Sequence, residues 1–182
     1  NWYALAGTLI LAAGVVVHLV YATVLTLHNR SSRGSQRYAM TAEPEGVTWA
    51  SRNMYVLGII IVLGLLLHLY NFWYNMQFAE IIGNHELGPF PPADGAAYIA
   101  ALFSSPVYCI IYLVWFAAIW FHLTHGFWSA FHTIGWDNQT WLPRLKRIAN
   151  VVATIVFLCF ALVVIVFYLR SLGVCGGSCA GF

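Results

Sequence analysis

Four long apolar stretches, none containing an Asp, Glu, Lys or Arg, decide most of what this chain can become. They are Trp2–Leu27, Asn53–Gln77, Pro106–His132 and Ile148–Leu169. A helix that crosses the hydrocarbon core of a bilayer needs about 20 mainly apolar residues at 1.5 Å each. Inside lipid the backbone must satisfy its own polar groups, so runs of this length read as helices. Only 8% of the residues are charged, against about 25% in a soluble domain, too few to cover a water-facing surface. The expected fold class is all-α: a transmembrane helix bundle of four spans, one domain over residues 1–182, with a flexible tail over 173–182. No internal repeat or soluble domain is visible, and no nucleic-acid partner is expected.

Basic residues orient the spans, because loops rich in Lys and Arg stay on the cytoplasmic side. Arg30, Arg33, Arg37 and Arg52 lie in or beside the first connection, and Arg144, Lys146 and Arg147 in the third. The second connection, 78–105, has no Lys or Arg but holds Glu80, Glu86 and Asp94. Seven of the eight basic residues thus fall on one side. The expectation is a multi-pass protein of a bacterial cytoplasmic membrane, with the Asn1 side, the 78–105 loop and the C-terminus outward. Trp2, Tyr3, Trp73, Tyr74, Trp136 and Trp141 fall near the expected boundaries, where aromatic belts form.

Ionisable residues inside spans mark functional sites by default. His18, His68, His122 and His125 lie well inside three different spans, His28 and His132 lie near the inner boundary, and His85 is in the outer loop. Depth sorts them. His18 follows Asn1 by 17 residues and His122 follows Ser105 by 17, so both lie roughly 26 Å from the outer boundary. His68 precedes Gln77 by 9 residues, roughly 14 Å from that boundary. Two imidazoles at one depth on different helices can hold one planar group between them; His68 belongs to a second site.

Each of these histidines has a small residue one turn away: Gly14 and Ala22 for His18, Gly64 for His68, Ala118 and Gly126 for His122. Positions four apart share a helix face, so a broad flat cofactor could pass there. Helix–helix packing also uses small residues, so the glycines fit both readings, whereas the histidines ask for a ligand role. A zinc or di-metal site would want three or four close carboxylate, thiolate or imidazole ligands, and the spans contain no carboxylate. Covalent haem would need Cys-x-x-Cys-His, which is absent from the sequence. Non-covalent haem b with two imidazole ligands remains. His125 competes with His122, being three residues on and about 60° around the helix, with bulky Phe121 four residues before it.

Val17-His-Leu-Val-Tyr-Ala22, Trp49-Ala-Ser-Arg-Asn-Met54 leading to Leu67-His-Leu-Tyr-Asn-Phe-Trp73, and Trp120-Phe-His-Leu-Thr-His-Gly-Phe-Trp-Ser129 are the most specific stretches. On them the chain, from Asn1 to about Leu172, resembles the cytochrome b subunit of succinate dehydrogenases and fumarate reductases. The likeness is to the single-subunit, two-haem class found in Bacteroidetes-type bacteria. That family has five helices with axial histidines on the first four. The resemblance therefore implies that the spans here correspond to helices two to five and that a further helix precedes Asn1. It implies an inner haem on His18 and His122, and an outer haem on His68 and a histidine of the preceding helix.

The same resemblance implies electron transfer between menaquinone and a dicarboxylate, with quinol:fumarate reduction the favoured direction. A flavoprotein with FAD and an iron–sulfur protein would dock on the cytoplasmic face, and the whole complex could dimerise. Dicarboxylate chemistry would occur at the flavin, not on this chain. Gly58 matches a family glycine and would pass close to a porphyrin edge. Arg30, Arg52 and His28 could pair with haem propionates, or serve as topology signals beside lipid head groups. Other di-haem cytochromes b, those of hydrogenases, formate dehydrogenases or nitrate reductases, share the histidine pattern. A haem-free transporter using the histidines as a proton relay is the third class. Cys109 and Cys159 read as packing residues, and Cys175 and Cys179 as a small disulfide loop or free thiols on the outer side.

Overall fold

The computed structural model describes residues 2–33, 47–136 and 138–174. Arg37, Cys175, Cys179 and nearly all of the expected tail lie outside the described residues. Every regular element among those described is helical. Four helical stretches are long and apolar enough to cross a membrane: Trp2–Ser32, Met54–Ile82, Pro106–Thr133 and Trp141–Ser171. The chain is an all-helical membrane protein. Its residues form two compact units, Asn1–Gly58 and Ile59–Phe182.

The first unit holds α1 (Trp2–Arg33), the four-residue α2 (Trp49–Arg52) and the start of α3 (Met54–His68). Helix α1 runs six residues beyond the expected Leu27, because nothing in His28-Asn-Arg-Ser-Ser-Arg33 breaks a helix and water can solvate these side chains. None of its described residues is buried. Helix α2 starts with a reciprocal cap: Ser51 N donates to Thr48 Oγ1 (3.2 Å) and Thr48 N donates to Ser51 Oγ (3.0 Å), which satisfies two otherwise orphaned donors. The Tyr55 hydroxyl reaches Thr23 Oγ1 at 3.5 Å.

In the second unit α3 ends at His68 and the chain widens into a π-helix over Leu69–Phe78, then tightens again in α4 (Ala79–Ile82). A π-helix closes its hydrogen bonds five residues apart, and such segments occur mostly at functional sites. Two side-chain contacts share that spacing. Asn75 Nδ2 donates to Tyr70 O at 3.0 Å, and Trp73 stacks on Phe78 with ring centroids 5.8 Å apart. Gly83, at φ 68°, ends α4 in the left-handed conformation that glycine adopts without strain.

The connection to the third span contains α5 (Gly95–Leu102), capped by Asp94 Oδ1, which accepts from Ala97 N at 3.0 Å. Tyr98 is buried and its hydroxyl donates to Phe90 O at 2.7 Å, with Asn75 O 3.3 Å away. This one phenol ties the connection to the π segment. Helix α6 (Pro106–Thr133) opens with Pro at its first position, where the missing N–H costs nothing. Helix α7 (Trp141–Ser171) begins seven residues before the expected Ile148. Pro143 falls within its first turn and does not interrupt it, so Arg144, Lys146 and Arg147 sit on a helix. Helices α6 and α7 form the best-packed pair, with buried Ala118 on one and buried Ala149, Ala153 and Ala161 on the other. Small residues allow close backbone approach where lipid gives no hydrophobic drive to associate.

Candidate functional site

The second unit encloses a cavity of about 570 Å³ between the π segment, α5, α6 and α7, inside the 300–1,000 Å³ range usual for ligand sites. Its wall is almost wholly apolar and aromatic, with Phe72, Tyr112, Trp115, Phe116, Trp120 and Phe157 prominent. His68 is the histidine on that wall. The imidazole sits 5.1 Å from the Phe72 ring, 5.5 Å from Trp115 and 6.3 Å from Tyr112, centroid to centroid. Its Nδ1 is buried and has no hydrogen-bond partner among the described residues.

The other polar atoms around the cavity are partnered within the protein. Trp115 Nε1 donates to Ile61 O at 3.0 Å, Trp120 Nε1 to Thr154 Oγ1 at 3.0 Å, and Asn71 Nδ2 to the Tyr112 hydroxyl at 3.1 Å. A buried polar group without a partner costs free energy, so the imidazole of His68 is the group here with most to gain from a ligand.

Gly64 has a specific role in this wall. A Cβ at that position would fall on the Trp115 indole, so Gly64 makes the room in which Trp115 packs against α3. In the structure its face is used for helix packing. A Cβ at Gly14 or Gly58 would meet nothing within 4 Å. Gly126 is half-buried on α6.

His122 and His125 belong to the same unit as His68, while His18 belongs to the first unit, where it is exposed on α1. His125 packs edge-on against Trp128, centroids 4.9 Å apart, and Lys146 Nζ lies 4.1 Å from the other ring centre of that contact chain, the Trp128 indole. The Nδ1 of His125 is buried and unpartnered among the described residues. His122 is half-buried between the positions that line the cavity, Trp120 and Leu123. His28, Arg30 and Arg52 are exposed in the first unit. Among the described residues no three His, Cys, Asp or Glu side chains converge; an axially ligated planar cofactor asks for one imidazole on each face.

The aromatic lining is the part of this site that the histidine spacing does not show. Its signal lay in Tyr112, Phe116 and Trp120, three rings four residues apart on one face of α6. Together, an all-helical membrane protein with an imidazole on an apolar, ligand-sized cavity is built to hold a large, mostly apolar group. Comparison with family models, with curated proteins and with solved structures gave no match to this chain.

Proposed function

We propose that the chain is the haem b-carrying membrane anchor of a succinate:quinone oxidoreductase, acting as a quinol:fumarate reductase. The observation that carries the proposal is an intramembrane histidine on each of three spans, one of which opens on a ligand-sized aromatic cavity. The cavity fits a porphyrin in chemistry as well as size, with apolar walls and an unpartnered imidazole nitrogen.

In this reading His18 and His122 hold an inner haem, with His125 the alternative to His122. His68 and a histidine of a preceding helix hold an outer one. Haem b supplies one-electron carriage when bound. The chain's own residues fix the axial imidazoles on rigid helices, exclude water with the Phe72, Tyr112 and Trp115 rings, and offer Arg30, Arg52 and His28 to propionates. Electrons would cross between menaquinol and the iron–sulfur and FAD-bearing flavoprotein subunits docked on the cytoplasmic face of a bacterial inner membrane. The outer side would carry the 78–105 connection, whose acidic residues and lack of Lys or Arg accord with that orientation.

The test is a reduced-minus-oxidised visible spectrum of the natural full-length protein, with haem counted per chain, for wild type, His18→Ala and His122→Ala. Two b-type haems, the same one lost in both variants, is the expected result. Absence of haem would overturn the proposal in favour of a transporter. Haem without a co-purifying flavoprotein would point to the cytochrome b of another respiratory complex.

A further inference from the structure

The turn between α6 and α7 contains a second cavity, of about 480 Å³, lined by Phe131, Gly135, Trp136, Asn138, Trp141 and Leu145. It is built by the backbone. Gly135, at φ 80°, reverses the chain after α6, Trp136 N then donates to Phe131 O at 3.0 Å, and the Trp136 ring stacks on Phe131 with centroids 5.9 Å apart. On the opposite wall Asn138 Oδ1 accepts from Thr140 N (3.0 Å) and Trp141 N (2.7 Å), holding the start of α7 in place. The carbonyl end of Asn138 is thereby used, and the end left to serve a ligand is the Nδ2 donor.

Two properties of this cavity point to one kind of occupant. Its aromatic rim stays open, with Trp136 68% and Trp141 53% exposed, at the level where α7 passes from its polar first turns into its apolar run. Tryptophan at that level belongs to the bilayer interface. The adjoining turns of α7 are basic. The Arg144 guanidinium lies over the Trp141 ring, 5.3 Å from its centroid, and Lys146 and Arg147 follow, against the single acid Asp137 in the turn. A basic edge beside an apolar pocket at membrane depth is the arrangement that recognises an anionic lipid, its phosphate near the cations and its acyl chain among the rings.

We propose that this cavity binds an anionic phospholipid of the surrounding bilayer, with Arg144 meeting the phosphate and Trp136, Trp141 and Phe131 seating the start of an acyl chain. The assignment does not depend on which cofactor the histidines hold.

The test uses the full chain purified in a neutral detergent, with phosphatidylglycerol, phosphatidylcholine or inorganic phosphate added. Retained lipid is read by native mass spectrometry and the unfolding temperature by circular dichroism. Phosphatidylglycerol should be retained and raise the unfolding temperature, phosphatidylcholine and inorganic phosphate much less. Arg144→Ala should cut that retention about fivefold, the equivalent of about 1 kcal/mol for one basic residue at a membrane surface. Arg170→Ala removes the same charge from the other end of α7, where the guanidinium lies 5.7 Å from the Phe167 ring, and should leave retention unchanged. Helicity of each variant is checked in the same experiment. Equal retention of both lipids, equal losses in the two arginine variants, or stabilisation by inorganic phosphate alone would each overturn the proposal. So would protection of Arg144 only on adding a soluble partner, which would assign the surface to a protein.

Discussion

Replacing Gly64 by alanine should destabilise the protein, against the ordinary preference of helices for alanine. On propensity alone the change would favour the helix by about 1 kcal/mol. The added methyl, however, falls on the Trp115 indole, and Trp115 has little room to give. Its Nε1 is held by Ile61 O at 3.0 Å, and its ring is flanked by His68, Tyr112 and Phe116 at centroid distances of 5.5, 5.6 and 5.5 Å. Overpacking of this kind costs about 1–3 kcal/mol, and losing the indole hydrogen bond would add about 1 kcal/mol. The net expectation is a loss of about 1–3 kcal/mol. Reversible SDS or urea titration of the detergent-solubilised chain, followed by circular dichroism, would measure it. A partner variant isolates the cause: Trp115→Ala in the Gly64→Ala background should recover the methyl's share of the loss, so the two changes should couple strongly in a double-mutant cycle. If Gly64→Ala is neutral or stabilising, the packing of Trp115 on α3 described above is wrong.

Gly14→Ala and Gly58→Ala should behave oppositely, gaining up to about 1 kcal/mol in the cofactor-free chain, since the new methyl meets nothing within 4 Å. If a porphyrin passes either glycine, haem content per chain will fall while that stability gain remains. Tyr98→Phe removes the bond to Phe90 O and should cost about 1–3 kcal/mol as a buried carbonyl loses its donor; hydrogen exchange should accelerate over 84–94 first. Trp120→Phe, which deletes the bond to Thr154 Oγ1, should cost only about 0.6 kcal/mol, the mean for polar contacts between membrane helices. His85→Ala breaks a 3.7 Å contact between the exposed side chains of His85 and Glu80 and should shift stability by less than about 0.5 kcal/mol.

The four spans could be read from sequence because length and the absence of charge are local properties, and lipid leaves the backbone no alternative. Their ends could not. Leu27 and Ile148 mark where apolar character stops, whereas α1 runs to Arg33 and α7 starts at Trp141 because a polar turn that water can solvate remains a good helix. The π segment was equally hidden. It needs Asn75, Trp73 and Phe78 to find partners at a spacing of five, and ordinary helical periodicity does not test for that. His68 was legible as an intramembrane imidazole. The cavity beside it required knowing that Tyr112, Trp115 and Phe116 on α6 turn toward the same space as Phe72. Gly64 shows the limit most clearly, since a small residue one turn from a histidine suits a porphyrin and an indole alike, and only the packing distinguishes them.

The π segment after His68 also bears on how this span can change length over evolutionary time. Removing one residue from Leu69–Phe78 would let the widened turns relax to an α-helix, shortening the span by about 1.5 Å and swinging everything beyond it by about 100°. Asn75 O would leave the Tyr98 hydroxyl, and the 78–105 connection would be re-aimed, while the imidazole upstream kept its place. A span of this form separates the depth of its histidine from the direction in which it delivers the following loop. Insertions and deletions should therefore be accepted within 69–78 and rejected within 54–68.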